Sequence, residues 1–340
     1  MMKPCRALAL ALSFGSVAAV LAAATPEGPP AAPVRPVTDY YFGQKIADPY
    51  RYMEVLNDPA VQGWLKAQAD YTSSVLSVIP GREKLRARLH ELIAAATARV
   101  GDVTVLPGLV LFYEKTLSTE NVAKLYTRRG LTGEEKLLLD PMRLDKPGGA
   151  PHVINYYAPS FDGRHVAVGI SEGGSEQAII HIVETASGRE SPETIDRAPW
   201  GSVAWKDERS FFYNRMQEMR PGMPPAEKEL KSTAWLHTIG AAVGNDTPVF
   251  GYDRSRRVAF DPIDIPIIAT SPDSSFAAGA IAHGVRNEMT LYAAELASMG
   301  PAGTIPWKKV VDADDQITDM ATHGVMSTSS PIAMLPARRF

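Results

Sequence analysis

Pro159-Ser160-Phe161-Asp162-Gly163 is a turn that carries an aspartate, and the apolar run His165-Val166-Ala167-Val168-Gly169-Ile170 follows it directly. The same order of turn and strand recurs twice: at Trp205-Lys206-Asp207-Glu208 before residues 210–213, and at Ser271-Pro272-Asp273-Ser274 before residues 276–281. Gly, Pro, Asp and Ser punctuate the chain where short strands begin and end. A few strands repeated every ~40–60 residues are typical of β-propeller blades.

The rest of the middle region is also divided into short strands. Apolar or β-branched runs fall at residues 103–106, 109–115, 124–128 and 136–139, with partner strands at 178–184, 234–239 and 290–296. A β-sandwich has equally short strands and is the alternative. The recurring aspartate turn favours blades, so we predict a mainly β protein with about four to five propeller blades between residues 101 and 325.

A helical extension precedes the strands, over residues 37–100. Apolar residues recur three and four apart between Asp58 and Ile79, and Pro80-Gly81 ends that segment. Asp58 before Pro59 supplies an N-cap and a proline at the first helical position. A second helix is predicted through residues 85–96, where apolar residues have the same spacing: Leu85, Leu89, Leu92, Ile93 and Ala96.

The first 24 residues have the pattern of a secretory signal peptide. Lys3 and Arg6 precede an apolar stretch over residues 7–21, and Ala22-Ala23-Ala24 suits cleavage. A membrane anchor is the alternative, but the stretch is short and Ala-rich. We expect a periplasmic or secreted protein without a membrane partner after cleavage, with a proline-rich linker over residues 25–36.

Composition narrows the classes of partner and site. The 340 residues carry a net charge of −3 from 38 acidic and 35 basic residues without a dense basic run, which argues against a nucleic-acid partner. The one cysteine, Cys5, lies within the signal. The mature chain is therefore expected to have no disulfide, thiolate metal site or cysteine nucleophile.

Two segments near the start carry a family resemblance. They are Tyr41-Phe42-Gly43-Gln44-Lys45-Ile46-Ala47-Asp48-Pro49-Tyr50-Arg51-Tyr52-Met53-Glu54 and Val61-Gln62-Gly63-Trp64-Leu65-Lys66-Ala67-Gln68. Together they resemble the opening of the prolyl oligopeptidase family, in which an Asp-Pro-Tyr-Arg segment precedes a helix with Trp and Gln at this spacing. The resemblance extends over most of residues 37–323.

The resemblance implies both an architecture and an activity. Family members join a helical extension to a seven-bladed propeller and an α/β-hydrolase domain that holds Ser, Asp and His in that order. They cleave short peptides after proline. The resemblance therefore implies an incomplete propeller here, with the α/β-hydrolase domain missing. We expect this chain alone to be inactive, and its open propeller edges to favour self-association.

Gly169-Ile170-Ser171-Glu172-Gly173 matches the G-x-S-x-G pattern of a serine nucleophile. That pattern requires a strand, a sharp turn at the serine and then a helix. Here the β-branched residues 179–183 follow, which predicts a hairpin into a second strand. Ser171 is accordingly interpreted as a structural turn residue, and we predict no catalytic residue in this chain.

Other candidate sites are interpreted as structural, and we predict no cofactor and no metal. The seven histidines lack the spacing of a zinc site: His90, His152, His165, His181, His237, His283 and His323. Glu134-Glu135 and residues 312–315 are acidic runs without the other elements of a calcium loop. The tryptophans Trp200, Trp205, Trp235 and Trp307 are assigned to the core.

Two functions from different classes remain open. One is the propeller portion of a prolyl oligopeptidase-type serine peptidase that acts on short proline-containing peptides. The other is an exported, non-catalytic propeller that binds a ligand and needs no further domain. The blade count, which is too low for a seven-bladed ring, favours the first.

Residues 326–340 lose the strand pattern, and we expect a frameshift at about Val325. Reading from the third base of the Met326 codon, with permitted synonymous codons, gives Val-Tyr-Leu-Leu-Thr-His-Arg-Asp-Ala-Pro-Arg. The family has a strand of this type at this place. A natural stop and a genuine short tail are the alternatives, because chain ends often lose pattern. Sequencing the gene past the Phe340 codon distinguishes them.

Overall fold

A computed structural model describes residues 28–254 and 257–320. The expected signal peptide at 1–24 and the tail at 326–340 lie outside the described residues. The chain divides into two compact units between Leu92 and Ile93. We call them the helical unit and the propeller unit. No helix in the described part of the chain is both long and apolar enough to cross a membrane.

The helical unit begins with a hairpin that the sequence analysis did not predict. Strand β1 (Val37–Tyr41) pairs antiparallel with β2 (Gln44–Asp48) through a two-residue turn. Both turn residues have positive φ, 51° at Phe42 and 79° at Gly43. Two left-handed residues match the twist of a tight hairpin, but Phe is an uncommon residue there, so the usual sequence signal is absent.

The two predicted helices follow the hairpin. Helix α1 (Pro59–Ser77) starts where the Asp58 carboxylate accepts the Ala60 amide proton at 2.7 Å. Gly81, at φ 82°, connects α1 to α2 (Arg82–Ala94). A left-handed φ disfavours a side chain, which explains a glycine at this junction.

The Asp-Pro-Tyr-Arg segment that carries the family resemblance is held in place by polar contacts. The Asp48 carboxylate accepts the Tyr50 amide at 3.0 Å and the Arg51 guanidinium at 3.1 Å, and Arg51 also pairs with Asp39 of β1. The Tyr50 amide and, to a lesser extent, Arg51 lower the pKa of Asp48. These contacts join the hairpin to the turn before α1.

Trp64 and Gln68 are one helical turn apart on α1, and both donate to the same carbonyl. The Trp64 Nε1 lies 3.0 Å and the Gln68 Nε2 2.5 Å from the oxygen of Pro30. The Tyr52 hydroxyl donates to the Pro33 carbonyl at 2.7 Å. The proline-rich segment before the hairpin is therefore held against the helical unit by side-chain hydrogen bonds, although prolines remove its own donors.

The propeller unit consists of four sheets, each of four antiparallel strands in chain order. The first sheet contains β3 (Ala98–Leu106), β4 (Val110–Leu117), β5 (Lys124–Arg129) and β6 (Lys136–Leu139). The second contains β7 (His152–Pro159), β8 (His165–Glu172), β9 (Ile179–Glu184) and β10 (Glu190–Ile195). The third contains β11 (Ala204–Trp205), β12 (Ser210–Arg215), β13 (Thr233–Thr238) and β14 (Thr247–Gly251). The fourth contains β15 (Ile265–Ala269), β16 (Phe276–Ala282), β17 (Met289–Glu295) and β18 (Lys308–Val311).

Neighbouring sheets stack face to face through separate apolar cores. Phe112 and Leu125 of the first sheet meet Val166 and Val168 of the second. The opposite face of the second sheet packs against the third sheet. Ile180 of the second sheet and Phe211 of the third belong to this shared core, together with further apolar residues. The third and fourth sheets meet around Phe212, Phe250, Ile281 and Trp307. Sheets that bury both faces against neighbours have the arrangement of propeller blades, so the predicted fold class is confirmed.

Strand β12 shows why this region appears in the sequence as an unbroken apolar run. Phe211 and Tyr213 face the second sheet, whereas Phe212 belongs to the core shared with the fourth sheet. Successive residues of a strand point to opposite faces, so a strand that is buried on both sides needs apolar residues at consecutive positions.

The recurring aspartate turns connect the first and second strands of the last three sheets. Asp162 accepts the Arg164 amide at 3.0 Å, and Asp207 accepts the Arg209 amide at 2.9 Å. In the fourth sheet the Ser274 hydroxyl, not Asp273, accepts the amide of Phe276 at 3.1 Å. In each turn a short side chain accepts a hydrogen bond from the backbone amide two residues later, and this bond stabilises the hairpin locally.

Candidate functional site

Ser171 lies near the C-terminal end of β8 and pairs with Val153 of β7. Its side chain is 2% exposed, and its hydroxyl has no hydrogen-bond partner in residues 28–254 and 257–320. The turn after it, with Gly173 and Gly174 at positive φ, leads into β9 and not into a helix. A nucleophile elbow needs an accessible hydroxyl and a helix N-terminus, and neither is present at Ser171.

The glycines of the same pattern have structural explanations. A Cβ atom at Gly169 would lie 2.2 Å from Cζ of Tyr156, because the tyrosine ring packs directly on the strand. The Tyr156 hydroxyl donates to the Ala198 carbonyl at 2.5 Å, which fixes the ring there. Gly173 is required by its φ of 62°. The match to G-x-S-x-G thus arises from packing and turn geometry.

Four of the histidines pair through Nδ1 with a carboxylate. The pairs are His152 with Asp145, His181 with Glu190, His237 with Asp246 and His283 with Asp264, at 2.8–3.1 Å. Each pair joins two segments of one sheet or its flanking loops. In the described ranges no three His, Cys, Asp or Glu residues are grouped as metal ligands.

One of these pairs extends into an acid, imidazole and hydroxyl arrangement that the sequence analysis did not predict. His283 Nδ1 lies 2.9 Å from Asp264, and His283 Nε2 lies 2.9 Å from the Thr290 hydroxyl. This order resembles a catalytic triad in its connectivity. Thr290 is 6% exposed on β17, inside the fourth sheet. The three side chains connect Asp264, the residue before β15, to β17 through His283.

A second buried histidine cluster has the same structural character. His237 is fully buried, and its Nε2 lies 4.0 Å from Glu193 of β10. Asp246, which bonds the other ring nitrogen, also accepts the Tyr213 hydroxyl at 2.6 Å. Burial, followed by the Asp246 carboxylate, raises the pKa of Tyr213 above its usual range. The phenol is held neutral as a donor, which suits a structural hydrogen bond.

Members of both acidic runs have local partners, and two of the tryptophans lie in apolar cores. Glu135 bonds Tyr113 and Lys115, and the carboxylates of Asp312 and Asp315 cap a short 3-10 turn. Trp205 is buried and donates to the Ala158 carbonyl at 3.0 Å. Trp307 is 4% exposed in the core between the third and fourth sheets.

The first two sheets border an open pocket of about 350 Å³ that the sequence did not predict. We call it the inter-sheet pocket, and Asp102, Thr104, Glu114, Asn155 and Tyr157 are among its lining residues. Burial, followed by the Asp102 charge, raises the pKa of Glu114 to about 7. In the sequence Glu114 is an ordinary polar position in a strand, so no local pattern distinguishes it from a solvent-facing residue.

Comparison with known proteins identifies relatives for most of the chain. A model of the prolyl oligopeptidase N-terminal β-propeller domain matches residues 29–324. The prolyl endopeptidases of Elizabethkingia meningoseptica and Elizabethkingia miricola are each 26% identical over 227 residues, which cover 65% of this chain and 30% of either relative. Prolyl oligopeptidase A of Amanita bisporigera is 25% identical over 192 residues, or 50% of this chain and 25% of that protein.

Solved structures have the same fold. A prolyl endopeptidase from a structural and mechanistic study of two such enzymes superposes with a TM-score of 0.68 at 29% identity, over 83% of this chain and 39% of its own. Prolyl oligopeptidase B of Galerina marginata, bound to a 35-residue hydrolysis and macrocyclization substrate, gives a TM-score of 0.65 at 19% identity, over 83% and 41%.

The chain spans about a third of the length of these relatives. The match to the family model covers nearly all the described residues and includes both the helical unit and the four sheets. The predicted resemblance is therefore confirmed. The chain belongs to the prolyl oligopeptidase family, of which it carries the N-terminal propeller portion.

Proposed function

We propose that this chain is the propeller portion of an exported serine peptidase of prolyl oligopeptidase type, which acts on short proline-containing peptides. The match of residues 29–324 to the family's propeller domain carries this proposal. The chain supplies scaffold and access control, and the reacting groups lie in the remaining family architecture. Residues 1–24 direct export to the periplasm or the medium, because they have the charge and hydropathy pattern of a signal peptide.

The buried position of Ser171 supports a scaffold role. A serine nucleophile needs a general base within hydrogen-bond reach and donors for the oxyanion. The Ser171 hydroxyl has no hydrogen-bond partner among the described residues, and the segment after it continues as β9. The proposal therefore assigns no step of peptide hydrolysis to the described residues.

A peptidase assay on the chain itself tests this assignment. Residues 25–340 are purified as wild type and as Ser171→Ala, and both are incubated with a chromogenic Gly-Pro anilide. We expect no turnover above the blank for either protein. Turnover by the wild type that Ser171→Ala abolishes would show that this chain carries the nucleophile, and the proposal would be wrong.

Export is tested separately from chemistry. The full chain and a chain that lacks residues 2–24 are expressed in a Gram-negative host, and periplasmic and cytoplasmic fractions are compared. We expect the full chain in the periplasm at a reduced mass and the truncated chain in the cytoplasm. Equal distribution of both chains would contradict the signal peptide.

A further inference from the structure

The inter-sheet pocket forms where two bulged strands face each other. The β3–β4 ladder shifts register between Gly101 and Thr104, and the β7–β8 ladder shifts between Ile154 and Tyr156. The residues at these irregularities, Asp102 and Asn155, line the pocket. A bulge bends its strand and redirects side chains, and both bulges lie at the open pocket of about 350 Å³.

The pocket concentrates negative charge without a cation. Exposed Asp102 and half-buried Glu114 both line it, and in the described chain neither carboxylate has a Lys, Arg or His within ion-pair distance. Glu135 of the same sheet differs, because it pairs with Lys115. A carboxylate that is partly removed from water raises the free energy of the folded state unless a positive group neutralises it.

Backbone strain concentrates at the same place. Asp102 adopts φ 46°, a left-handed conformation that costs a non-glycine residue energy. The Tyr157 hydroxyl donates to the Phe112 carbonyl at 2.9 Å and also contacts the Asp102 carbonyl, which places the tyrosine ring beside the bulge. The bond to Phe112 connects β7 to β4 at the wall of the pocket.

The side chains that line the pocket indicate which kind of ligand it can bind. An ammonium group has three donors, and two carboxylates with the Asn155 amide oxygen or the Thr104 hydroxyl supply matching acceptors. The rings of Tyr156 and Tyr157 also line the pocket and offer aromatic surface to a cation. Calcium prefers six to eight oxygen ligands, more than two carboxylates and two neutral groups supply. The volume also exceeds that of a bare ion and suits a side chain.

We propose that the inter-sheet pocket binds the primary ammonium group of a peptide, so that the propeller recognises a positive charge on the peptides it admits. This inference rests on the proposed function only in taking peptides as ligands. Binding is measured on this chain without any peptidase activity. Its failure is therefore distinguishable from the failure of the proposed function, which depends on turnover.

Three tripeptides separate the two sources of an ammonium group. Ala-Ala-Ala-amide carries only the α-ammonium, acetyl-Ala-Lys-Ala-amide carries only the lysine ammonium, and acetyl-Ala-Ala-Ala-amide carries neither. Binding to residues 25–340 is measured by ligand-observed NMR at pH 7.5. We expect at least one of the charged peptides to bind about tenfold more tightly than the neutral one, because a charge-assisted hydrogen bond is lost in the latter.

Matched variants locate the site. Glu114→Gln keeps the shape of the side chain and removes its charge, whereas Glu134→Gln removes a charge from an exposed turn of the same sheet. We expect Glu114→Gln to weaken binding of the charged peptide about tenfold and Glu134→Gln to leave it unchanged. Asp102→Asn is the second variant, because asparagine also tolerates a left-handed φ. Circular dichroism confirms that each variant is folded.

The pH dependence gives an independent readout. Asp102 is the charged group that acts on Glu114, and protonation of Glu114 removes the negative charge that the ammonium requires. Wild-type affinity for acetyl-Ala-Lys-Ala-amide should therefore fall several-fold from pH 7.5 to pH 5, and Glu114→Gln should lose this dependence. Equal binding of all three peptides, no binding of either charged peptide, or wild-type affinity in Glu114→Gln would each overturn the proposal.

Discussion

The helical unit and the propeller unit bury apolar side chains to very different degrees. Among described residues 28–92, Val61 alone is buried, and α2 has no buried side chain. Five of the six residues of β12 are buried. The sheets are held by cores between neighbours, whereas the helical unit is held mainly by caps, ion pairs and side-chain bonds to its proline-rich segment. Helices of this kind gain little stability from their own packing.

The apolar face of α2 illustrates the difference in burial between the two units. Leu85, Leu89 and Leu92 are 62%, 50% and 52% exposed, although they recur at helical spacing. Phe250 of β14, by contrast, has an exposure of 0% and contacts Phe260, Tyr292 and Trp307. The comparison therefore predicts large effects of truncation in the sheets and small effects on the helices.

The largest expected effect is that of a cavity between the third and fourth sheets. Phe250→Ala should lower the free energy of unfolding by about 3–5 kcal/mol, because buried aromatic contacts are lost and the surroundings refill the space only in part. Leu89→Ala should change it by less than about 0.5 kcal/mol. Urea denaturation of both variants measures the contrast. A similar loss from Leu89→Ala would show that α2 is packed in solution.

Substitutions in the G-x-S-x-G pattern should change the free energy of unfolding by an intermediate amount, and they test whether Ser171 has a structural role. Gly169→Ala should cost about 1–3 kcal/mol, because its methyl group would overlap the Tyr156 ring. Ser171→Ala should be close to neutral, since the hydroxyl has no partner to lose. Thermal melts of the two variants decide this. A strong loss from Ser171→Ala would reveal a hydrogen bond that the structure lacks.

Glu114 makes the propeller unit sensitive to pH in a direction opposite to that of most carboxylates. Its pKa in the folded state is about 7, above the ordinary value of 4.5. The folded state therefore binds this proton more tightly than the unfolded state does. The resulting contribution to the free energy of unfolding is fully present below pH 4.5 and is lost as the pH rises through about 7. The side chain is partly exposed, so screening reduces the effect to about 1 kcal/mol.

Glu114→Gln should remove this loss. The variant is expected to be about 1 kcal/mol more stable than the wild type at pH 8 and to show no such gain at pH 4.5, as measured by urea denaturation. Glu134→Gln, on an exposed turn, serves as the control and should follow the wild type at both pH values. A gain that is independent of pH would show that ionisation is not its cause.

Substitutions on the apolar face of α2 should have the smallest effect on stability. Their expected effect is on self-association of the chain. Leu85→Gln with Leu89→Gln should leave the melting temperature nearly unchanged, because glutamine has a helix propensity close to that of leucine. The double variant should elute with less high-mass material than the wild type in size-exclusion chromatography, since exposed apolar faces promote association. Lys84→Gln is the control on the same helix. Unchanged elution of the double variant would place any association elsewhere.

The sequence predicted the elements with strong local signals. Helix α1 follows from a capped apolar stripe, and the strands after the aspartate turns follow from runs that are buried on both faces. The identity of Ser171 as a hairpin residue follows from the β-branched residues after it. These features depend on neighbours in sequence, which is why a single chain suffices to predict them.

The missed features depend on geometry that has no local pattern. The β1–β2 turn places Phe42 at positive φ, where sequence rules expect Gly, Asn or Asp. The inter-sheet pocket arises from register shifts in two strands more than fifty residues apart. A shift of one residue changes which face a side chain occupies, so alternation in β3 and β7 alone cannot bring Asp102 and Asn155 together at one pocket.

Hydrogen exchange on the full chain tests the contrast between the two units most directly. We expect amides of β8, β12 and β16 to exchange about a hundredfold or more slowly than those of α1 and α2 at the same pH, because strands between stacked cores open only with the unit as a whole. Mass spectrometry of peptic fragments resolves these segments. If α1 and α2 were protected as strongly as the strands, the helical unit would need a packed core, and the contrast between the two units would be wrong.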